Sequence, residues 1–325
     1  MAAVLPGPAL YYDGEPGIFY ANLTTRMSRK IVYLINPISG TQKKATLTDL
    51  LKRKTREQKI DFEILPTDPS GEYDFLKKKI KKEGVTDIVV CGGDGTVNAV
   101  VAGLLGVPVN FGIVPMGSGN GLAFTAKIPK QPSAALRVIF RGQARSVDAF
   151  YINDQFSCML CGIGFDALVA HEFAKQKRRG LQTYIKVSAI NFFKARPYRF
   201  EIRVHDKTFH TEAFFICVAN SNQFGNHFTI APQASLSDGL LDIVIVKKMN
   251  KFILPFSVIS QVTGINAMQQ VNSYTGSRNI TYLQTDALVI SNPHHAPLHV
   301  DGDPRESSTE FRIRILKNCF RLLQP

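Results

Sequence analysis

Residues 88–98 read Ile-Val-Val-Cys-Gly-Gly-Asp-Gly-Thr-Val-Asn, and the change of character along this stretch decides the fold. The β-branched run Ile88–Cys91 reads as a buried strand. It stops at Gly92-Gly93-Asp94-Gly95, where glycine lets the backbone turn close beside a ligand. Thr96 then opens an amphipathic segment, Val97–Leu105. A strand, a glycine turn and a helix N-terminus in that order aim backbone N–H groups and the positive end of a helix dipole at one spot, which suits a phosphate. The spacing is neither G-x-G-x-x-G nor the Walker pattern ending in Gly-Lys-Ser/Thr, so neither of those nucleotide folds is indicated. Asp94 adds a carboxylate that could hold Mg²⁺ or take a proton. The plainer reading is a tight turn in which Asp94 only caps the helix.

Working outward, Lys30–Ile35 reads as a strand ending at the turn Asn36-Pro37-Ile38-Ser39-Gly40. A helix over Thr46–Gln58, a strand over Ile60–Leu65, a helix over Tyr73–Lys82 and a strand over Asn110–Val114 complete a β-α-β-α-β-α-β alternation. That pattern predicts a doubly wound parallel sheet with helices on both faces, and ligands at the carboxyl ends of its strands. The turns Asn36–Gly40, Gly92–Thr96 and Pro115–Asn120 all follow strands, so one sheet edge gathers them. In the third, Pro115-Met-Gly-Ser-Gly-Asn-Gly121, Ser118 offers a hydroxyl and Asn120 is placed to cap a short helix.

After a helix at Ser133–Phe140 the pattern changes near Gly142. Strand-like segments dominate from Ala144: 146–152, 156–163, 198–204, 212–219, 241–246, 288–290, 298–300 and 311–316. They predict a mostly antiparallel β-sandwich, interrupted by helical intervals at His171–Lys194 and Phe252–Gln270. The division expected is an N-terminal extension at 1–28, a nucleotide-binding α/β domain at 29–142 and a β-rich domain at 143–325, whose C-terminal end returns to the first domain.

A chain of 325 residues, 45% hydrophobic and 20% charged, can bury two cores. No apolar stretch approaches the roughly 20 residues that a membrane-spanning helix needs. A net charge of +13 favours anionic partners. The basic clusters Lys77–Lys82 and Lys175–Arg179 lack the interleaved aromatics of a nucleic-acid surface, so an acidic membrane is expected rather than nucleic acid. Five cysteines make no disulfide framework, and Cys158-x-x-Cys161 lies in an apolar run, as buried strand cysteines would. The seven histidines show no metal-ligand spacing. Residues 1–26 lack the basic and apolar regions of a cleavable signal, and the expected location is the cytoplasm, peripherally on a membrane. A homodimer is compatible with the sequence.

Gly-Gly-Asp-Gly-Thr resembles the signature shared by diacylglycerol kinase catalytic domains, sphingosine kinases, NAD kinases and phosphofructokinases. Gly162-Ile-Gly-Phe-Asp-Ala167, Ala231-Pro-Gln-Ala-Ser-Leu-Ser-Asp-Gly-Leu-Leu-Asp242 and Val300-Asp-Gly-Asp-Pro304 are similar, in order, to lipid-kinase motifs that NAD kinases and phosphofructokinases lack. The resemblance runs from about Ile31 to beyond Pro304. It implies an ATP- and Mg²⁺-dependent lipid kinase whose acceptor is diacylglycerol or a sphingoid-type lipid. The alternatives are an NAD kinase-like enzyme and a relative that binds nucleotide or lipid without turnover.

The resemblance assigns ATP to Asn36, Pro37, Ser39, Gly40, Thr67, Gly92, Gly93, Gly95, Thr96, Asn98, Gly117, Ser118 and Asn120. It places Asp94, Asp301 and Asp303 at the reacting groups. It gives a structural Mg²⁺ to Asp238 with Ser235 and Leu240, and joins Asp148 to Asp94 in a metal network. Two departures stand out. Ser118 with Gly121 leans toward the sphingosine-kinase form, and Asp303 replaces the glutamate that the family usually carries.

Overall fold

The computed structural model describes residues 29–37, 44–68, 70–176, 181–192, 195–225, 228–248 and 280–325. The first half runs β1 (Lys30–Ile35), α1 (Lys44–Glu57), β2 (Asp61–Pro66), α2 (Asp74–Glu83), β3 (Asp87–Gly92), α3 (Asp94–Gly103), β4 (Asn110–Pro115), α4 (Gly121–Thr125) and α5 (Pro132–Arg141). Its strands pair in parallel in the order β2-β1-β3-β4. Parallel strands covered on both faces read as continuous apolar runs. Ile88, Val89, Val90 and Cys91 of β3 are all fully buried.

Helix α3 starts earlier than the predicted Val97. Gly93 is extended, at φ −98° and ψ −175°, and its carbonyl already accepts the Val97 N–H at 3.0 Å. Asp94, Gly95 and Thr96 are therefore the first turn of the helix rather than the loop before it.

The second half runs β5 (Ala144–Ile152), β6 (Gln155–Ser157), β7 (Leu160–Gly164), α6 (Phe165–Ala174), α7 (Leu181–Phe192), β8 (Tyr198–Val204), β9 (Lys207–Ala219), β10 (Gln223–Gly225), β11 (Phe228–Thr229), β12 (Leu241–Lys247), β13 (Ile280–Thr285), β14 (Ala287–Ser291), β15 (Leu298–Val300), β16 (Asp303–Arg305) and β17 (Glu310–Leu323). Pairing among these strands is antiparallel. Alternate residues of one strand serve two cores, as a period of two requires. Ile243 and Ile245 of β12 join Ile216 and Val218 of β9 in one cluster; Val244 and Val246 join Cys217 and Ala219 in the other. The interval 171–194 holds parts of two helices, and α6 begins already at Phe165, directly after Gly164 at φ +107°. The helix expected at Phe252–Gln270 lies outside the described residues.

Strand β17 joins the halves. It pairs antiparallel with β14 and β5, and its last residues, Arg321 and Leu322, pair in parallel with Asn110 and Phe111 of β4. One hydrogen-bonded path therefore crosses both halves, and it brings the β15–β16 hairpin and the glycine turns to a common place.

Candidate active site

The glycine turns after β3 and β4 touch backbone to backbone. A Cβ at Gly93 would lie 3.0 Å from the Gly117 Cα, and one at Gly117 only 2.6 Å from the Gly93 Cα. Only glycine fits such an approach. The Met116 N–H donates to the Gly92 carbonyl at 2.9 Å, extending the ladder into the turns. From β1, the Asn36 side chain donates to the Thr96 hydroxyl at 2.8 Å. Thr67, buried at the end of β2, donates its N–H to the Ile35 carbonyl at 3.0 Å. The carboxyl edge of the sheet thus gathers Asn36, Thr67, Gly92, Gly93, Thr96 and Gly117. Pro37 is exposed beside them. Ser39 and Gly40 lie outside the described residues.

Asn120 adopts the left-handed conformation at φ +58° and makes no side-chain cap on α4. Instead it braces the turn: its Oδ1 accepts the Gly117 N–H and its Nδ2 donates to the Gly117 carbonyl, each at 2.8 Å. The role expected of Asn120 falls partly to Asp94. The Asp94 Oδ1 accepts the Leu122 N–H at 3.4 Å, at the N-terminal end of α4. Asp94 is half-buried, and burial beneath the surrounding turns pushes its carboxyl up to about 6. The backbone N–H groups of Asn120, Gly121 and Leu122 oppose that rise, and Asp301 adds to it.

Asp303 is exposed and comes from the other half of the molecule. A Cβ on Gly95 would lie 2.7 Å from the Asp303 Oδ2, so this carboxylate rests on the first turn of α3. A negative group there faces the positive end of the helix dipole. Asp94 and Asp303 thereby flank one helix N-terminus from opposite domains.

Asp301 is placed differently. Its Oδ1 accepts the Ser157 hydroxyl at 2.6 Å and the N–H groups of Met159 at 3.2 Å and Leu160 at 3.0 Å; its Oδ2 accepts the Cys158 N–H at 3.3 Å. With the Cys158 thiol donating to Oδ2 at 3.7 Å, five donors hold this buried carboxylate and anchor the hairpin onto β6 and β7, although burial still pushes its carboxyl above the usual range. Asn98 likewise crosses the domains, donating to the Phe156 carbonyl at 3.1 Å. Ser118 is exposed on the turn.

Asp148 is buried, and both of its oxygens take backbone N–H groups: Oδ2 from Gly239 at 2.8 Å and Oδ1 from Asn318 at 2.7 Å. It ties the 236–240 turn to the irregular segment of β17. Asp238 is exposed in that turn, its Oδ1 accepting the Leu240 N–H at 3.1 Å. The partial loss of water around it, and then the neighbouring Asp148, hold its carboxyl above the usual range despite the backbone donors. Among the described residues no three His, Cys, Asp or Glu side chains gather as a metal cluster. All five cysteines are free, and Cys158 and Cys161 are buried.

The family model described as the diacylglycerol kinase catalytic domain matches residues 30–152, and that described as the YegS C-terminal NAD kinase beta sandwich-like domain matches 160–323. The chain belongs to this two-part family. A "Probable lipid kinase YegS-like" of Chromohalobacter salexigens is 27% identical over 84% of this chain and 86% of its own. The protein of the same name from Serratia proteamaculans is 27% identical over 85% and 88%. A crystal structure of a diacylglycerol kinase-type protein from Bacillus anthracis str. Sterne superposes with a TM-score of 0.74 at 21% identity, covering 91% of this chain and 97% of that one.

Proposed function

We propose that the protein is an ATP-dependent lipid kinase that moves the γ-phosphoryl group of ATP to a lipid hydroxyl. The observation that carries this reading is the meeting of two glycine turns, backbone to backbone, at a helix N-terminus flanked by Asp94 and Asp303. Phosphoryl transfer needs little covalent chemistry from a protein; it needs positioning and offset of charge. The turns supply closely approaching backbone and an N-terminal dipole for phosphate oxygens. Burial holds the Asp94 carboxyl up to about 6, still ionised at neutral pH, so it can serve either as a ligand for a hard cation or as acceptor of the hydroxyl proton. Asp303 orients the acceptor at the mouth of the site. Asp301 holds the hairpin.

The oxygen donors fit Mg²⁺, a hard cation that keeps several waters. Asp94 would hold it beside the phosphates, and Ser235, Asp238 and Leu240 would hold a second ion on the 236–240 turn. Asp148, which takes the Gly239 and Asn318 N–H groups, would shape that turn. When bound, Mg²⁺ offsets the charge of the transferring group and the repulsion between nearby carboxylates.

The test is transfer of radiolabel from γ-labelled ATP to diacylglycerol, a sphingoid base and NAD. Label on one lipid and none on NAD is expected. Label on NAD alone would overturn the lipid reading, and label on nothing would make the chain a binding protein.

A further inference from the structure

A buried pair beneath the β15–β16 hairpin has no place in the chemistry so far. His299, on β15, and Asp166, near the start of α6, are 2% and 6% exposed, with His299 Nε2 3.5 Å from Asp166 Oδ2. They fill the space above Gly162 of β7. A Cβ there would lie 1.8 Å from Asp166 Oδ2 and 2.5 Å from His299 Nε2, so glycine at 162 is what admits the pair. The Asp166 Oδ2 accepts no hydrogen bond among the described residues, which leaves it directed at the ring. On the other side of the ring, the Gly302 N–H donates to His299 Nδ1 at 3.3 Å. An amide can only donate, so Nδ1 is the unprotonated nitrogen and the ring proton lies on Nε2, facing Asp166.

The peptide held this way is no ordinary one. Asp301 has φ +51° and Gly302 φ +85°, so two successive residues occupy the left-handed region. For a non-glycine residue that conformation persists only where its surroundings enforce it. The Asp301 carboxylate pins one side of the turn, and His299 holds the other. Asp303, which rests on Gly95, follows directly. Helix α6 grips the same hairpin a second time, through a 2.8 Å hydrogen bond between His171 Nε2 and the Leu298 carbonyl.

We propose that His299, oriented by Asp166, is a positioning residue: it holds the Gly302 amide and thereby sets Asp303 over the first turn of α3. This rests on the kinase reading for its effect on turnover, but not for its effect on the hairpin. The experiment compares His299→Asn with His299→Gln, since the asparagine oxygen can replace Nδ1 as acceptor while the glutamine amide reaches only toward the Nε2 position. Hydrogen exchange at the Gly302 amide is read on the free protein, with kcat and KM for ATP measured alongside. His299→Asn is expected to keep Gly302 protected and kcat within about threefold of wild type. His299→Gln should expose the amide and lower kcat on the order of 10²-fold with KM for ATP nearly unchanged, the scale of a misplacement of about 1 Å. Asp166→Asn, which keeps the shape and removes the orienting charge, should also speed Gly302 exchange, and it serves if His299→Gln does not fold. Equal Gly302 exchange in wild type and in whichever disrupting variant folds would overturn the proposal. A wild-type protein without turnover would defeat the kinase reading, and the exchange contrast would still decide the positioning role.

Discussion

At the scale of single residues, the role proposed for Asp94 comes with a cost to folding. Its carboxyl is held up at about 6 by burial, whereas an aspartate in an unfolded chain titrates near about 3.9. Between those values the folded protein binds more protons than the unfolded one, so this contribution to stability falls as pH rises from about 4 to about 6. Asp94→Asn removes the titrating group. Melting temperatures across that window should lose part of their decline in the variant, while phosphoryl transfer drops by several orders of magnitude, as loss of a central charged group does. Transfer near the wild-type rate would remove Asp94 from the chemistry. Asp303 makes a second test with Gly95, because the two crowd each other. Gly95→Ala should keep or slightly raise the melting temperature, since alanine favours a helix by about 1 kcal/mol, yet displace the carboxylate and cut kcat about 10-fold or more. Asp303→Glu, one methylene longer, should cut it similarly. Full activity in both variants would show that the carboxylate is out of reach of the reaction.

At the scale of elements, the β3 and β4 turns work as one unit. A Cβ at Gly117 meets backbone at Gly93 rather than a mobile side-chain tip, so neither strand end can give way cheaply. Gly117→Ala should therefore destabilise by about 1–3 kcal/mol, the range of overpacking, and weaken ATP binding together with kcat. Denaturant unfolding and nucleotide titration read the two effects, and an unchanged unfolding midpoint would mean that the turns relax apart. The parallel half was legible because its inner strands β1, β3 and β4 are buried on both faces and read as apolar runs. The start of α3 was not legible: glycines at 92, 93 and 95 look like loop, and only the carbonyl of an extended Gly93 bonding to Val97 shows that the helix already includes Asp94. Asn120 likewise looked like a cap, since nothing local in the chain shows that its side chain folds back on Gly117.

At the scale of the whole molecule, a net charge of +13 and a proposed lipid substrate lead to one expectation about surfaces. No helix among the described residues is long and apolar enough to cross a membrane. Helix α7 turns Ile185, Lys186 and Ile190 to solvent, a mixed basic and apolar face. Co-sedimentation with acidic vesicles should exceed that with neutral ones and should fall as salt rises from about 0.1 M to about 1 M, over which the screening length shrinks from about 10 Å to about 3 Å. Equal binding under all four conditions would assign docking to apolar contacts alone.

The chain by itself determined its two architectures and the sheet edge at which its glycine turns gather. Periodicity is local, so a run of β-branched residues, a glycine turn and a change to alternating strands carry their meaning within a dozen residues. Motif order singled out Asp94, Asp148, Asp238, Asp301 and Asp303, but not what surrounds each one. That was decided by pairings across long sequence separations, which local spacing cannot specify. Asp301 becomes an anchor because Ser157 and the N–H groups of residues 158–160 fold around it. Asp303 reaches α3 because β17 joins the two halves through β4 and β5, and His299 meets Gly302 only once Gly162 has left room for Asp166. A carboxylate has no fixed role of its own; the donors and charges that tertiary packing places around it set whether it is held, charged or poised to take a proton.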